Sequence, residues 1–249
     1  MLDVNVVGVL FLHAGCNMRC GFCITDDTCG SMTLDEALTT LEVLEARGVG
    51  NVVLGGGEPT LWSPGVFRLS AEAHARGFLV QIGTNGIVLP SDYAQNPSVA
   101  RYVLPLESAG AEIHDRMRPG GAASHHAVML GRLEELRKVG RQVTLSTVVS
   151  AWNAQELPAL ADWLSRYAEQ GGRIHAWHLY RFVPEGRGGE VNADSMRISL
   201  ADYEAACEEV KGRTLPFSVL KRPDMRHSKT VDFFWYEGGR LQVGSEVWA

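Results

Sequence analysis

The sequence predicts an α/β protein in which parallel strands alternate with helices. Six short runs of apolar and β-branched residues recur before residue 185 of the 249, and amphipathic segments lie between most of them. Strands that alternate with helices in this way pair in parallel through right-handed crossovers. The alternation alone leaves open whether the sheet is an open doubly wound sheet or a partial or full barrel.

The first two strand-helix units have clear boundaries. Residues 4–12 form an apolar run that predicts a buried strand. A capping box over residues 33–36 begins a helix with leucines at helical spacing, which Gly48 ends. Residues 51–54 predict a second strand, and Ser63 followed by Pro64 predicts the start of the next helix.

Four further strands and two helices are predicted in the middle of the chain. The strand runs alternate with segments whose apolar residues recur at helical spacing. The strands are residues 78–82, 103–106, 143–149 and 174–183, and the helices begin near Ser124 and Asn153. A last helix is predicted over residues 199–211, followed by a β-hairpin over residues 232–243 that turns at Gly238 and Gly239.

Composition excludes several classes of protein. A net charge of −6 and a pI near 5.8 give no electrostatic basis for general binding to nucleic acid or membranes. No apolar run reaches membrane-spanning length, and no signal peptide precedes the first strand. These observations predict a cytoplasmic protein, and they leave its oligomeric state undetermined.

Three of the five cysteines lie in one loop directly after the first strand. Cys16, Cys20 and Cys23 are separated by three and two residues, so their sulfurs can converge on one small object. Three thiolates on a cubane iron-sulfur cluster leave one of its four irons open to another ligand. A zinc site is the alternative from another class, with His13 as a possible fourth ligand, because structural zinc sites usually close with four ligands.

The loop resembles the signature of the radical S-adenosylmethionine (SAM) superfamily, Cys-x3-Cys-x2-Cys with an aromatic residue, here Phe22, before the third cysteine. The resemblance implies one 4Fe–4S cluster whose open iron chelates SAM and whose electron cleaves SAM to methionine and a 5′-deoxyadenosyl radical. It also implies a partial (β/α)6 barrel over residues 1–185, with residues 186–249 as an extension that closes the barrel and contributes to substrate binding. An electron donor such as flavodoxin or ferredoxin is implied as well.

A second motif follows the second predicted strand. Gly55, Gly56, Gly57 and Glu58 precede Pro59 and match the Gly-Gly-Glu-Pro motif of the same superfamily, whose backbone contacts the SAM amino group. Glycines permit a close approach of the backbone to a ligand. A tight turn between strand and helix would also explain the glycines, but it would not explain Glu58.

Weaker signals lie at the ends of other strands. The resemblance implies polar contacts to SAM from Asn85, Ser108 and Ser146, and less strongly from Thr84, Glu107 and Thr147. It also implies packing on the adenine by Val183, next to Phe182, with Phe22 on the opposite side. Turn formation or core packing would account for each of these residues as well.

Other residues remain outside the predicted site. Residues 112–118 are interpreted as a solvated loop, although His114 and Arg118 could contact the substrate. Cys207 is interpreted as a small buried apolar residue on the last helix, and Cys29 lies outside the matching spacing. Two further cysteines are too few to bind a second cluster, so a single-cluster enzyme is expected.

The expected substrate is a small anionic metabolite, such as a sugar, nucleoside or amino-acid derivative. Basic residues gather in residues 211–229, and Arg222 and Arg226 suit a phosphate or carboxylate group because guanidinium binds two oxygens at once. A peptide- or protein-modifying enzyme, including an activase of glycyl-radical enzymes, is the alternative. The first strand begins within a few residues of Met1, which argues against an N-terminal peptide-binding domain and favours the small molecule.

Overall fold

A computed structural model describes residues 6–26, 30–121 and 123–248. Within these residues, nine strands form one sheet. The strands are β1 (Val7–Phe11), β2 (Asn51–Gly55), β3 (Leu79–Gly83), β4 (Arg101–Pro105), β5 (Gln142–Val149), β6 (Arg173–Arg181), β7 (Ser218–Arg222), β8 (Val231–Glu237) and β9 (Arg240–Val243). The helices are α1 (Leu34–Ala46), α2 (Val66–Ala75), α3 (Ala111–Met117), α4 (His125–Lys138), α5 (Leu157–Glu169), α6 (Gly186–Gly189), α7 (Ala193–Met196), α8 (Leu200–Lys211) and α9 (Gly244–Val247).

The sheet keeps the order of the chain from β1 to β6, and all of these strands are parallel. The predicted α/β class and the six successive units are therefore confirmed. The C-terminal strands extend both edges, because β7 pairs with β6 and β8 pairs with β1, each in parallel. Strand β9 is antiparallel to β8.

Alternate residues of each strand point to opposite faces of the sheet. The longer helices cover one face: Trp177 and Leu179 of β6 are buried there, and the Tyr203 hydroxyl of α8 donates to the Leu179 carbonyl over 2.6 Å. His178 and Tyr180 lie on the opposite face, which is called the inner face below, and are only partly buried. The main core therefore lies between the sheet and its helices, whereas the inner face of β6 carries partly buried polar residues.

Several predicted elements are confirmed in detail. Thr33 and Glu36 form the predicted capping box of α1, and Ser199 caps α8. The predicted hairpin is β8 and β9, and both turn glycines, Gly238 and Gly239, have φ of 57° and 74°, which side-chain-bearing residues rarely adopt.

Two predictions need correction, and the structure adds one strand. Helix α2 begins after Gly65 and not at Ser63, because the preceding turn buries Trp62, whose Nε1 donates to the Met32 carbonyl over 2.8 Å. The predicted loop over residues 112–118 is helix α3, with His114 and Met117 buried. Strand β7 was not predicted, because its short sequence carries two cations and alternates poorly.

None of the helices in residues 6–26, 30–121 and 123–248 is long and apolar enough to cross a membrane.

Candidate functional site

The cysteine loop follows β1 at the carboxyl edge of the parallel strands. Cys16, Cys20 and Cys23 are half-buried and carry free thiols. The loop folds back on itself, because the Cys23 amide donates to the Cys20 carbonyl over 3.2 Å and the Met18 amide lies 3.4 Å from the Cys16 sulfur. Three thiols are thus presented from one short segment.

Distant parts of the chain hold this loop from two sides. The Gly21 amide donates to the Met117 carbonyl at the end of α3 over 2.9 Å. On the other side, the Gly188 amide of α6 donates to the Cys23 carbonyl over 3.0 Å, and the Asn192 side chain donates to the Gly21 carbonyl over 3.0 Å. Residues before and after the predicted boundary at residue 185 therefore share one structure.

Arg118 lies against the cysteine loop at the end of α3. Its Nη1 is 3.5 Å from the Cys20 sulfur, and its guanidinium lies 4.7 Å from the centre of the Phe22 ring. Burial raises the pKa of the Cys20 thiol, and the positive charge of Arg118 opposes that shift. The guanidinium therefore favours the thiolate, which is the form that binds iron.

Glu107 compensates the buried charge of Arg118. Its Oε1 accepts from the Arg118 Nε over 2.6 Å, and its Oε2 accepts from the Val148 amide over 2.7 Å. The Glu107 side chain has no exposed surface. Burial raises the pKa of Glu107, whereas Arg118 and the Val148 amide lower it. The ion pair with Glu107 therefore holds the Arg118 guanidinium beside Cys20, and the Val148 amide holds Glu107 in turn.

The three thiols fit the donor set of an iron-sulfur cluster. Within the described parts of the chain, no three histidine, cysteine or carboxylate side chains converge closely enough for one metal ion. The ligands of a cubane cluster need not converge so closely, because each thiolate binds a different iron. His13 is held elsewhere, since its Nε2 is 2.7 Å from the Glu58 carbonyl oxygen.

The glycine turn after β2 packs directly on the start of the cysteine loop. A Cβ atom on Gly57 would lie 2.2 Å from the Gly15 carbonyl oxygen, and one on Gly56 would lie 2.6 Å from the His13 carbonyl oxygen. The Gly57 amide donates to that His13 carbonyl over 2.6 Å. The close approach that these glycines permit is therefore made, at least in part, to the backbone of the cysteine loop.

Glu58 joins this turn to the next one. Its side chain is fully buried, and its Oε1 accepts from the Thr60 hydroxyl over 2.8 Å and from the Thr84 hydroxyl over 2.6 Å. Its Oε2 accepts from the Asn85 amide over 2.7 Å. The carboxylate thus fixes the ends of β2 and β3 relative to each other.

Asn85 connects β3 to the cysteine loop. Its Nδ2 donates to the Asn17 side chain over 2.7 Å and lies 3.8 Å from the Cys16 sulfur. Its side-chain oxygen accepts from the Ile87 amide over 3.0 Å. Of the polar residues predicted at strand ends, Asn85 is the one that directly contacts a predicted metal ligand among the described residues.

Two buried histidines link the ends of β3 and β4. The Glu107 amide donates to His114 Nδ1 over 3.1 Å, His114 Nε2 is 2.8 Å from His125 Nδ1, and His125 Nε2 is 2.8 Å from the Asn85 carbonyl oxygen. An amide only donates and a carbonyl only accepts, so each ring carries its single proton on Nε2. Burial lowers the pKa of His114 to about 2 and that of His125 to about 4.

The remaining predicted residues lie around the same edge with fewer contacts. Ser108 is buried and accepts from the Gly110 amide over 3.0 Å, so it helps to begin α3. Ser146 is half-buried on the inner face of β5, opposite His178 of β6. Val183 follows β6, and its carbonyl accepts from the Glu185 amide over 2.9 Å. Cys207 is buried on α8, and Cys29 lies outside the described residues.

Sequence reasoning missed the roles of Glu107, Arg118 and His125. All three are buried or nearly so. Arg118 lies in the segment that is interpreted from sequence as a solvated loop, whereas Glu107 lies at a predicted strand end and His125 at the predicted start of a helix. The available signal was the spacing of Ile113, His114 and Met117, which gives one helical face if histidine is counted as a core residue.

Comparison with known proteins identifies the family. The model of the radical SAM superfamily matches residues 10–164. AdoMet-dependent heme synthase of Methanosarcina barkeri is 32% identical over 200 residues, which cover 78% of this chain and 54% of that protein. Mycofactocin maturase MftC of Mycobacterium tuberculosis is 29% identical over 199 residues, covering 78% of this chain and 49% of that protein.

Solved structures show the same fold. SuiB of Streptococcus suis in its SAM-bound crystal structure has a TM-score of 0.72 and 16% identity, over 88% of this chain and 51% of that one. Native anSMEcpe with bound AdoMet has a TM-score of 0.63 and 16% identity, over 85% of this chain and 64% of that one. These neighbours confirm the predicted partial barrel.

The chain belongs to the radical SAM superfamily, a family of enzymes that use a 4Fe–4S cluster and SAM. It spans about half the length of the curated relatives it matches. Membership favours the cluster over the zinc site that the three cysteines alone left open.

Proposed function

We propose that Cys16, Cys20 and Cys23 each bind one iron of a 4Fe–4S cluster and leave the fourth iron to SAM. The proposal is supported above all by the three half-buried free thiols beside Arg118, in a loop that α3, α6 and the glycine turn hold in place. When bound, the cluster supplies the electron that cleaves SAM. The protein's own part is to hold the thiolates, position SAM and exclude water.

SAM is proposed to lie at the carboxyl edge of the strands, next to the cysteine loop. The backbone of residues 55–58 would face its amino group, and Asn85, Ser108 and Ser146 would supply polar contacts. Phe22 and Val183 would flank the adenine. Glu58 contributes indirectly in this arrangement, because Thr60, Thr84 and Asn85 already occupy its carboxylate.

The proposed reaction is hydrogen abstraction from a small anionic metabolite, with a flavodoxin or ferredoxin as electron donor. Residues 186–249 are proposed to contribute to substrate binding, which is consistent with the three strands that they add at the two edges of the sheet. A peptide substrate is the second candidate, because mycofactocin maturase is named among the relatives and SuiB has a structure with a precursor peptide.

The ligand assignment is tested by comparing two cysteine variants. Anaerobically reconstituted, reduced wild-type protein should convert SAM to 5′-deoxyadenosine, slowly when no substrate is present. Cys20→Ala should lose that activity and most of the iron and labile sulfide, since it removes one of three proposed ligands. Cys207→Ala is the matched control, because Cys207 is buried on α8 and packs in the main core.

Retention of wild-type iron, sulfide and SAM cleavage by Cys20→Ala would refute the assignment. Wild-type protein that takes up one zinc and no sulfide would refute the proposed function as a whole.

A further inference from the structure

Three hydrogen-bonding side chains gather on the inner face of β6 and β7. His178 and Tyr180 lie on β6, and Arg222 pairs with Tyr180 at the end of β7. The two rings of β6 are stacked, with centroids 5.9 Å apart. His178 pairs in register with Ser146 of β5, so the group adjoins a residue proposed to contact SAM.

The orientation of Arg222 follows from that of its neighbour Lys221. The Lys221 ammonium pairs with Glu204 and, over 2.6 Å, with Glu208, both on α8. Lys221 therefore points towards the helices, and Arg222, the next residue of the strand, points to the inner face. There its Nε lies 3.4 Å from His178 Nδ1, and its Nη1 donates to the Thr230 hydroxyl over 3.1 Å.

Arg222 also differs from the ion-paired cations of residues 211–229. Arg213 pairs with Asp162, Lys221 with two glutamates and Arg226 with Glu185. Arg222 contacts a neutral imidazole and a hydroxyl, and within the described residues no carboxylate pairs with it. Lys211 and Lys229 are exposed, so Arg222 is the cation of this cluster that faces inwards without a carboxylate partner among the described residues.

The directions of the hydrogen bonds leave N–H and O–H groups of this cluster free to donate to a ligand. The Arg222 Nε can only donate, so His178 Nδ1 is an acceptor and the ring proton lies on Nε2. The Tyr180 hydroxyl is 3.4 Å from the same Nδ1. Burial, with help from Arg222, lowers the pKa of His178 to about 4, and burial raises the pKa of Tyr180. Both side chains are therefore neutral donors near pH 7, beside a permanent cation.

We propose that His178, Tyr180 and Arg222 form a subsite that binds an oxyanion of the substrate, either a carboxylate or a phosphate group. A guanidinium with free N–H groups binds two oxygens of such a group at once, and a hydroxyl and an imidazole N–H add neutral donors. The role of the subsite rests on the proposed function, since the subsite would hold the substrate on the inner face of the sheet, next to SAM. Its ability to bind an anion does not depend on SAM cleavage.

Binding is tested on the reconstituted, oxidised protein with two probes, inorganic phosphate and acetate, at constant ionic strength. Ring signals of ¹⁵N-labelled histidine report on the subsite, and the His178 signal is assigned by its loss in His178→Gln. We expect a saturable shift of that signal with at least one probe. A saturable shift with phosphate alone identifies a phosphate subsite, and a saturable shift with acetate alone identifies a carboxylate subsite.

Arg222→Gln should weaken this binding about tenfold, the loss expected for one charge-assisted contact. Arg240→Gln, which removes an exposed cation from β9, should bind as wild type does. If Arg222→Gln does not fold, the test uses two smaller changes, Tyr180→Phe and Arg222→Lys. Each of these variants should bind the probe more weakly than wild type.

The subsite would be overturned if neither anion produced a saturable shift of the His178 signal. It would also be overturned if Arg240→Gln weakened anion binding as much as Arg222→Gln does. Wild-type protein that binds the probe but does not cleave SAM would refute the proposed function and leave the subsite standing. Protein that cleaves SAM but binds neither probe would refute the subsite and leave the proposed function standing.

Discussion

At the residue scale, Arg118 places a buried positive charge against the proposed cluster site. It lies beside the Cys20 sulfur, over the Phe22 ring and against the Glu107 carboxylate. Hydrogen bonds to cluster sulfurs and nearby charge are among the factors that set cluster potentials. A cation next to Cys20 stabilises the reduced cluster, which carries one more negative charge.

We therefore predict that Arg118→Gln lowers the reduction potential of the cluster. A hydrogen bond to a charged group is worth about 1.5–3 kcal/mol, and 1.4 kcal/mol corresponds to about 59 mV for one electron. Only the part of this energy that differs between the oxidised and reduced cluster shifts the potential, so a fall of tens of millivolts, up to about 100 mV, is expected. A redox titration monitored by electron paramagnetic resonance measures it. Arg116→Gln is the control, because Arg116 lies on the same helix but stacks 3.9 Å from the centre of the Trp152 ring.

Arg118→Gln leaves Glu107 buried without its partner, which typically costs about 3–5 kcal/mol. The double variant Arg118→Gln/Glu107→Gln removes both charges and separates this loss of stability from the effect on the potential. An unchanged potential in both variants would contradict the role of Arg118.

The buried histidines make stability depend on pH. The pKa of His125 is about 4 in the folded protein, below its ordinary value near 6.5, because burial disfavours the charged ring. The unfolded chain therefore binds a proton that the folded chain does not bind between these values. The stability contributed by the neutral ring is complete above pH 6.5 and is lost as the pH falls towards 4.

We predict that His125→Gln reduces the slope of unfolding free energy against pH in this interval. One proton corresponds to about 1.4 kcal/mol per pH unit, so the slope should fall by up to about that amount. Urea unfolding of the cluster-free protein at several pH values measures it. His74→Gln replaces an exposed histidine and should keep the wild-type slope, and equal slopes in all three proteins would contradict the buried neutral ring.

At the element scale, the sequence predicts those elements whose apolar residues follow one period. Helix α1 has leucines at helical spacing between a capping box and a glycine, and β5 has a long β-branched run. Each of these signals is local, so neighbouring structure was not needed to read it. The six strands of the barrel were predicted for this reason.

The elements that were missed depend on tertiary contacts. Helix α3 has seven residues and buries His114, which hydrogen bonds satisfy on both ring nitrogens. Strand β7 is stabilised by pairing with β6 and by Lys221, which reaches two glutamates of α8. Neither α3 nor β7 shows a clear period of apolar residues in the sequence. The contacts that stabilise them are made by residues elsewhere in the chain.

The same limit applies to the site. The spacing of the three cysteines and the glycine turn predicted where the cluster and SAM would lie. The partners of these motifs could not be predicted, because Arg118 is 98 residues from Cys20 along the chain and Asn192 is 171 from Gly21. Contacts of such separation depend on the finished fold.

At the scale of the whole molecule, the C-terminal extension is continuous with the barrel. Strand β8 pairs with β1, and β7 pairs with β6, so both edges of the six-stranded unit are covered by later parts of the chain. Between these strands, Arg222 at the end of β7 reaches Thr230, whose carbonyl accepts from the Val7 amide over 2.9 Å. The segment from residue 223 to 230 thus connects the two edges.

Helix α6 gives the extension a direct effect on the cysteine loop. A Cβ atom on Gly188 would lie 2.2 Å from the Cys20 carbonyl oxygen and 2.7 Å from the Cys23 amide nitrogen. Both are backbone atoms, so they cannot move aside as a flexible side chain does. The position of α6 and the path of the cysteine loop are therefore coupled.

We predict that Gly188→Ala impairs assembly of the cluster although it leaves all three thiols in place. Overpacking of this kind typically costs about 1–3 kcal/mol, so the loop should occupy its native path severalfold less often. Iron and sulfide per chain after reconstitution should fall accordingly, while far-ultraviolet circular dichroism stays that of the wild type. Gly131→Ala is the matched control, because an added methyl group there on α4 meets no atom within 4 Å. Wild-type iron content in Gly188→Ala would show that α6 packs beside the loop without constraining it.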